Sequence, residues 1–107
     1  MAETSEITVL LADDHEVVRE GLRLALLRSA HIRVVGEAAD GETAVALAER
    51  RRPDVIVMDL RMPGMDGIEA TEEIMRVVPD AKVLIFTAYS ERSLLSRAFD
   101  SGVGVLR

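Results

Sequence analysis

Cysteine is absent from the 107 residues, so neither a disulfide framework nor thiolate chemistry is available to this chain. Aromatic residues make up 3% of the sequence, which leaves aliphatic side chains and methionine to build a core. No apolar run approaches the ~20 residues that span a membrane. Residues 1–6 lack the basic and then apolar form of a signal peptide. We therefore expect a flexible leader over residues 1–6, a cytoplasmic location and no membrane contact.

Basic charge is also in short supply, since the formal net charge is −6. A surface that binds nucleic acid needs a basic face to meet the phosphates, so this composition argues against direct DNA binding. The one basic cluster, residues 50–52, ends a predicted helix just before Pro53. Cations at that position stabilise a helix C-terminus, which is the simpler interpretation of the cluster.

Apolar runs and amphipathic segments alternate along the chain, a pattern typical of an α/β protein with a parallel sheet. The predicted strands cover residues 7–12, 32–38, 55–58, 82–86 and 103–107, and helices connect them. The short apolar run of the third strand predicts burial on both faces, and Gly36 predicts an edge position for the second. The first helix is predicted over residues 15–29, with Arg19 away from a buried face made of Val18, Leu22, Ala25, Leu26 and Ser29. Asp66 with Glu69 predicts a capping box at the start of the third helix. Five strands with four helices leave one crossover position unfilled. We expect one domain over residues 7–107, truncated at or in strand five, with its last helix missing.

Carboxylates follow two of the predicted strands. Asp13 and Asp14 end strand one, and Asp59 ends the apolar run of strand three. If these strands are neighbours, the three carboxylates meet in one crevice, where they repel and favour a hard cation such as Mg²⁺. Asp59 would then be a nucleophile toward a phosphoryl group, and Thr87, at the end of strand four, could donate a hydrogen bond to it.

These motifs together resemble a bacterial two-component response-regulator receiver domain. The resemblance is seen in the Asp13-Asp14 pair, in MDLRMPGMDG (58–67) and in Thr87-Ala88, and it covers the chain beyond the leader. The segment DDHEVVREGL (13–22) is similar to receivers of the LuxR/NarL/FixJ type, which precede a DNA-binding domain. The lysine that the family has at the end of strand five would fall just past Arg107.

The resemblance implies a flavodoxin-like (CheY-like) doubly wound sheet with strand order 2-1-3-4-5. It implies that Asp59 accepts a phosphoryl group from a histidine kinase, and that Thr87 binds that group and acts as the switch. Mg²⁺ would be bound directly by Asp14, Asp59 and the Arg61 backbone carbonyl, while Asp13 assists through water. It also implies a homodimer on activation, with DNA bound only through an output domain absent from this chain.

Other interpretations remain open at this point. A stand-alone receiver could act by protein contact or as a phosphate sink. An aspartate-nucleophile phosphohydrolase would need a second Asp two residues after Asp59, where Arg61 stands, so we do not expect an enzyme. Asp14 taken alone could be a helix N-cap, and Thr87 a loop residue bonded to its own backbone. His15 is predicted to be solvent-exposed in the first helical turn.

Overall fold

A five-stranded sheet with helices packed against it makes up the part of the chain that the structure describes. The computed structural model describes residues 6–86 and 104–106 of the chain. The strands in this part are β1 (Ile7–Ala12), β2 (Ile32–Ala38), β3 (Val55–Met58), β4 (Lys82–Phe86) and β5 (Gly104–Leu106). The helices in the same residues are α1 (Glu16–Leu26), α2 (Gly41–Arg51) and α3 (Gly67–Val77). The predicted fourth helix and Thr87 lie outside the described residues, as does most of the leader.

The five strands are all parallel and follow the order β2-β1-β3-β4-β5, which confirms the predicted topology. Because β1 lies between β2 and β3, the chain reverses its direction of winding after β2, and a crevice forms at the carboxyl ends of β1 and β3. Ala12 pairs with Met58 at that end, so the residues that follow these two are brought side by side.

Strand β2 forms one edge of the sheet, as its glycine led us to expect. Val9 of β1 pairs with Val34, but Leu10 pairs with Gly36, so one extra residue of β2 is accommodated between these two pairs. Such an irregularity is common in edge strands and locally bends the strand.

The main core lies between the sheet and the pair α2 and α3. It is built from aliphatic side chains and methionine, as the scarcity of aromatic residues required. Every second residue of the central strands points into it, and these residues are Leu10, Ala12, Ile56, Met58, Val83 and Ile85. Helix α2 contributes Ala44 and Ala48, while α3 contributes Ile68, Ala70 and Ile74. The small alanine faces let α2 approach the sheet closely.

The opposite face is covered less completely by the described helices. Two predictions were wrong here: β3 is not buried on both faces, since Val55 and Val57 are only half-buried, and Ala25 of the expected buried face of α1 is exposed. The reason is the position of α1, whose Arg23 pairs with Glu37 of β2 and which therefore lies over the β1–β2 side of the sheet. Helix α1 also ends at Leu26, three residues earlier than predicted.

None of the helices in the described part of the chain is long and apolar enough to cross a membrane.

Candidate acidic site at the carboxyl ends of β1 and β3

Backbone pairing places Asp13 and Asp59 next to each other. The Asp59 N–H donates to the carbonyl oxygen of Ala12 at 2.8 Å, and the Asp13 N–H donates to that of Ala38 at 3.0 Å. The sheet hydrogen bonding thus continues one residue past each strand, which fixes both aspartates against the end of the sheet. Oxygens of Asp13, Asp14 and Asp59 and a ring nitrogen of His15 all lie within 4.8 Å of one another. The sequence predicted the convergence of the three carboxylates.

The site has a buried floor and an open mouth. Asp13 and Asp59 are 5% and 6% exposed, whereas Asp14 and His15 are exposed. Burial and, after it, the charge of Asp13 raise the pKa of Asp59 to about 6, against the opposing effect of the Arg61 N–H. That N–H donates to Asp59 Oδ1 over 3.4 Å, which is a long and weak hydrogen bond. Asp59 is therefore a carboxylate whose negative charge is poorly compensated by the residues that the structure describes.

His15 closes one side of the site. Its backbone N–H donates to Asp13 Oδ1 at 2.8 Å, and its Nδ1 atom lies 3.0 Å from both Asp13 Oδ1 and Asp14 Oδ1. The hydrogen bond with Asp13 and the charge of Asp14 raise the pKa of His15. The side chain is 59% exposed, so the predicted exposure is confirmed, but these contacts were not foreseen. His15 is also the N-cap residue of α1, so the alternative role of Asp14 as that N-cap was wrong.

An arginine on α1 holds the backbone of the Asp13 segment. Arg19 Nη1 donates to the carbonyl oxygen of Asp13 at 2.6 Å, and its Nε donates to Glu37 Oε1 at 3.2 Å. Arg23 binds the second carboxylate oxygen of Glu37 at 2.8 Å. The Arg19 side chain is only 15% exposed, which makes this pair better shielded from solvent than a surface ion pair. Sequence reasoning placed Arg19 on the polar side of α1 and missed this role.

Close packing of α3 fixes the segment after β3. A Cβ atom on Gly67 would overlap the carbonyl oxygen of Asp59 and would lie 2.9 Å from Leu60 Cα, so a larger residue does not fit there. The predicted capping box is confirmed, because Asp66 Oδ1 accepts from the Glu69 N–H at 2.8 Å and Glu69 Oε1 accepts from the Asp66 N–H at 3.0 Å. The first turn of α3 is thereby anchored directly behind Asp59.

The donor atoms suit a hard divalent cation. Three carboxylates lie together with two of them buried, and Mg²⁺ prefers oxygen ligands with room left for water. The exposed mouth at Asp14 provides that room. The residues present therefore fit Mg²⁺, while the participation of the Arg61 carbonyl stays a prediction.

A doubly wound parallel sheet with clustered acids at its central strand ends is typical of phosphoacceptor signalling domains. Residues 9–105 match the response regulator receiver domain family, and the chain belongs to that family. It is 47% identical over 97 residues to the response regulator protein VraR of Staphylococcus aureus, which covers 91% of this chain and 46% of VraR. The chain thus spans about half the length of the curated relatives it matches.

Solved structures give the same result. A LuxR-family two-component response regulator from Aurantimonas sp. SI85-9A1 superposes with a TM-score of 0.88 at 41% identity, over 94% of this chain and 73% of that one. The signal receiver domain of the response regulator NarL from Mycobacterium tuberculosis gives 0.87 at 38% identity, over 95% and 83%. The chain is a receiver domain of the two-component response regulators, close to VraR and to NarL-type regulators.

Proposed function

We propose that Asp59 is the phosphoacceptor of this receiver domain and receives its phosphoryl group from a histidine kinase. The observation that supports this best is the position of Asp59, which is 6% exposed at the end of β3 and lies beside two further carboxylates. Burial and the neighbouring Asp13 charge raise its pKa to about 6. Perturbed carboxylates of this kind are typical of functional sites.

The proposed reaction uses an oxygen of the Asp59 carboxylate as the nucleophile. This oxygen forms a bond to phosphorus, the phosphorus–nitrogen bond of the phosphohistidine breaks, and the electron pair of that bond returns to the imidazole of the kinase. The product on this chain is an acyl phosphate. Mg²⁺, when bound by Asp13, Asp14, Asp59 and the Arg61 carbonyl, would supply positive charge against the negative charge that gathers during transfer.

The remaining residues position the acceptor. Gly67 lets α3 pack against the Asp59 backbone, and Arg19 holds the carbonyl of Asp13, so neither aspartate has to reorganise before the reaction. Thr87 follows β4 directly in the sequence, and we assign it the hydrogen bond to the phosphoryl group and the switching role on the resemblance alone.

For the whole protein we propose a cytoplasmic transcription regulator with its receiver domain over residues 7–107. Phosphorylation would control a LuxR-type DNA-binding output domain through a homodimer formed on activation. The similarity to a LuxR-family regulator supports this output. The role is regulatory, with the kinase and the attached output domain as partners.

Intact mass spectrometry after incubation with acetyl phosphate and Mg²⁺ tests the acceptor. We expect one added phosphoryl group on the native chain and none on Asp59→Asn or after removal of metal with a chelator. Asp54→Asn is a matched control, since Asp54 flanks the same strand at its other end and should leave the adduct intact. An adduct that persists on Asp59→Asn would refute the assignment.

A further inference from the structure

His15 places a ring nitrogen against the carboxylates of the acidic site. Its Nδ1 atom lies 3.0 Å from Asp13 Oδ1 and 3.0 Å from Asp14 Oδ1. Two ligand atoms at right angles around an ion, each ~2.1 Å from it, are about 3.0 Å apart. These contacts are hydrogen-bond distances of the ring N–H, and they equal the spacing of neighbouring ligands of one octahedral ion, so a cation bound here would take the place of the Nδ1 proton. Asp59 lies within the same group of atoms.

The local backbone holds the imidazole in this place. The N–H of His15 is bonded to Asp13 Oδ1 at 2.8 Å, and the carbonyl of Asp13 is held in turn by Arg19 at 2.6 Å. The His15 side chain is 59% exposed, so a hydrated cation can approach the ring from solvent. His15 thus contributes a borderline-soft nitrogen to an otherwise all-oxygen site.

We propose that His15 is a nitrogen ligand of this cation site and makes the site select Ni²⁺ and Co²⁺ over Mg²⁺. Imidazole suits these later transition metals, and the affinity of a mixed nitrogen and oxygen site rises from Mn²⁺ through Co²⁺ to Ni²⁺. Mg²⁺, in contrast, prefers oxygen and gains little from the ring. The inference rests on the proposed function, since it assumes that Asp13, Asp14 and Asp59 bind a divalent cation.

The second histidine of the chain provides a matched control. His31 is exposed near the opposite end of the sheet, where its carbonyl oxygen accepts from the N–H of Ile7 at 2.7 Å. Replacing His31 removes one imidazole from the protein without touching the acidic site. A comparison of His15→Gln with His31→Gln therefore separates ligation at the site from adventitious binding by any exposed histidine.

The experiment is calorimetric titration of the tag-free protein with Ni²⁺, Co²⁺ and Mg²⁺ separately. It is run at about pH 8, above the ordinary histidine pKa of about 6.5, with circular dichroism as a check on folding. We expect His15→Gln to weaken Ni²⁺ and Co²⁺ binding by at least about tenfold and to change Mg²⁺ binding by less than about threefold. His31→Gln should change none of the three. The visible absorption of bound Co²⁺ should shift in His15→Gln, because an oxygen of water replaces nitrogen.

The outcomes distinguish the two proposals. Equal affinities of His15→Gln and the native protein for Ni²⁺, with Mg²⁺ still bound, would overturn the role of His15 and leave the metal site standing. Failure of Mg²⁺ and of both transition metals to bind would overturn both proposals. Asp14→Asn should weaken all three metals, and Ni²⁺ binding that survives this change would place the ion elsewhere and refute the inference.

Discussion

An aspartate lies at each end of β3, and the two carboxylates have opposite environments. Asp54, just before the strand, accepts hydrogen bonds from the N–H and the hydroxyl of Thr8 at 2.9 and 3.1 Å, while its own N–H donates to the Thr8 hydroxyl at 3.0 Å. Asp59, just after the strand, lies among other carboxylates and receives the Arg61 N–H at 3.4 Å. Among the described residues, Asp54 thus has good hydrogen-bond donors, whereas Asp59 has one long hydrogen bond and carboxylate neighbours.

The two aspartates that flank this four-residue strand therefore have different roles. Asp54 stabilises the fold, and Asp59 belongs to the acidic site. A carboxylate with good donors joins β1 to β3 and needs nothing further. A crowded, buried carboxylate lowers the stability of the metal-free protein at neutral pH, and it gains whenever a cation arrives. Strained or repulsive groups of this kind persist where the surrounding structure holds them, and they are typical of sites that bind or react.

The largest effect is expected at Gly67. A methyl group there would overlap the Asp59 carbonyl oxygen, so Gly67→Ala should lower the free energy of unfolding by about 3 kcal/mol or prevent folding. Urea denaturation measures the change. Gly21→Ala in α1 is the control, because nothing lies within 4 Å of its added Cβ, and it should stabilise the helix by up to about 1 kcal/mol. Similar stability of the two variants would contradict the packing of α3 on Asp59.

Neutralising Asp59 should be the next largest effect, and it should depend on pH. The folded pKa of about 6 is above the ordinary 3.8, so the folded state binds more protons than the unfolded state between these values. Stability is therefore lost as pH rises from about 4 to about 6, by about 2 kcal/mol from this group. Asp59→Asn should remove that loss and be more stable than the native chain at pH 7 without metal. Stability curves that stay parallel across this pH range would count against it.

At the other end of β3, replacing the aspartate should lower the stability of the protein instead of raising it. Asp54→Ala removes the acceptor for both Thr8 donors, and we expect a loss of about 1.5 kcal/mol in the free energy of unfolding. Asp80→Ala, an exposed acid in the turn before β4, is the matched control and should change stability by less than about 0.5 kcal/mol. If Asp54→Ala were as stable as the native chain, the contrast between the two ends would fail.

The smallest effect concerns the helix behind the site. Asp66→Ala deletes the side chain that accepts from the Glu69 N–H, and loss of an N-cap costs about 1 kcal/mol. Thermal unfolding at neutral pH checks this value. Asp66→Asn, which retains an accepting oxygen, should recover most of the loss. If Asp66→Asn were as unstable as Asp66→Ala, the effect would be due to the charge of Asp66 and not to capping.

The fold could be predicted from local pattern to a large extent. The bounds of β1 to β4 match the apolar runs, and the capping box at Asp66 was predicted, because each depends on residues close together in the sequence. The end of α1 was not predicted correctly, because two turn residues follow Leu26 and the sequence has no capping signal there. The half-burial of Val57 depends on where α1 lies, which is a tertiary matter.

The part of the site that follows from strand pairing could be predicted, and the contacts between distant residues could not. Parallel strands align their carboxyl ends, so Asp13 and Asp59 had to meet once β1 and β3 were neighbours. The contact of Arg19 with Glu37 joins residues 18 positions apart on different elements, and the bonds of Thr8 to Asp54 span 46. Neither pair has a sequence signature. The ring orientation of His15 is likewise set by the site around it.

The most direct test of the account is the ¹³C NMR titration of the Asp59 carboxyl carbon, with and without Mg²⁺. Without metal we expect it to titrate near pH 6. With saturating Mg²⁺ the transition should move to lower pH, because the bound ion favours the charged carboxylate. A pKa near the ordinary value of 3.8 that does not change with Mg²⁺ would contradict the claim that the surroundings of Asp59 favour a bound cation.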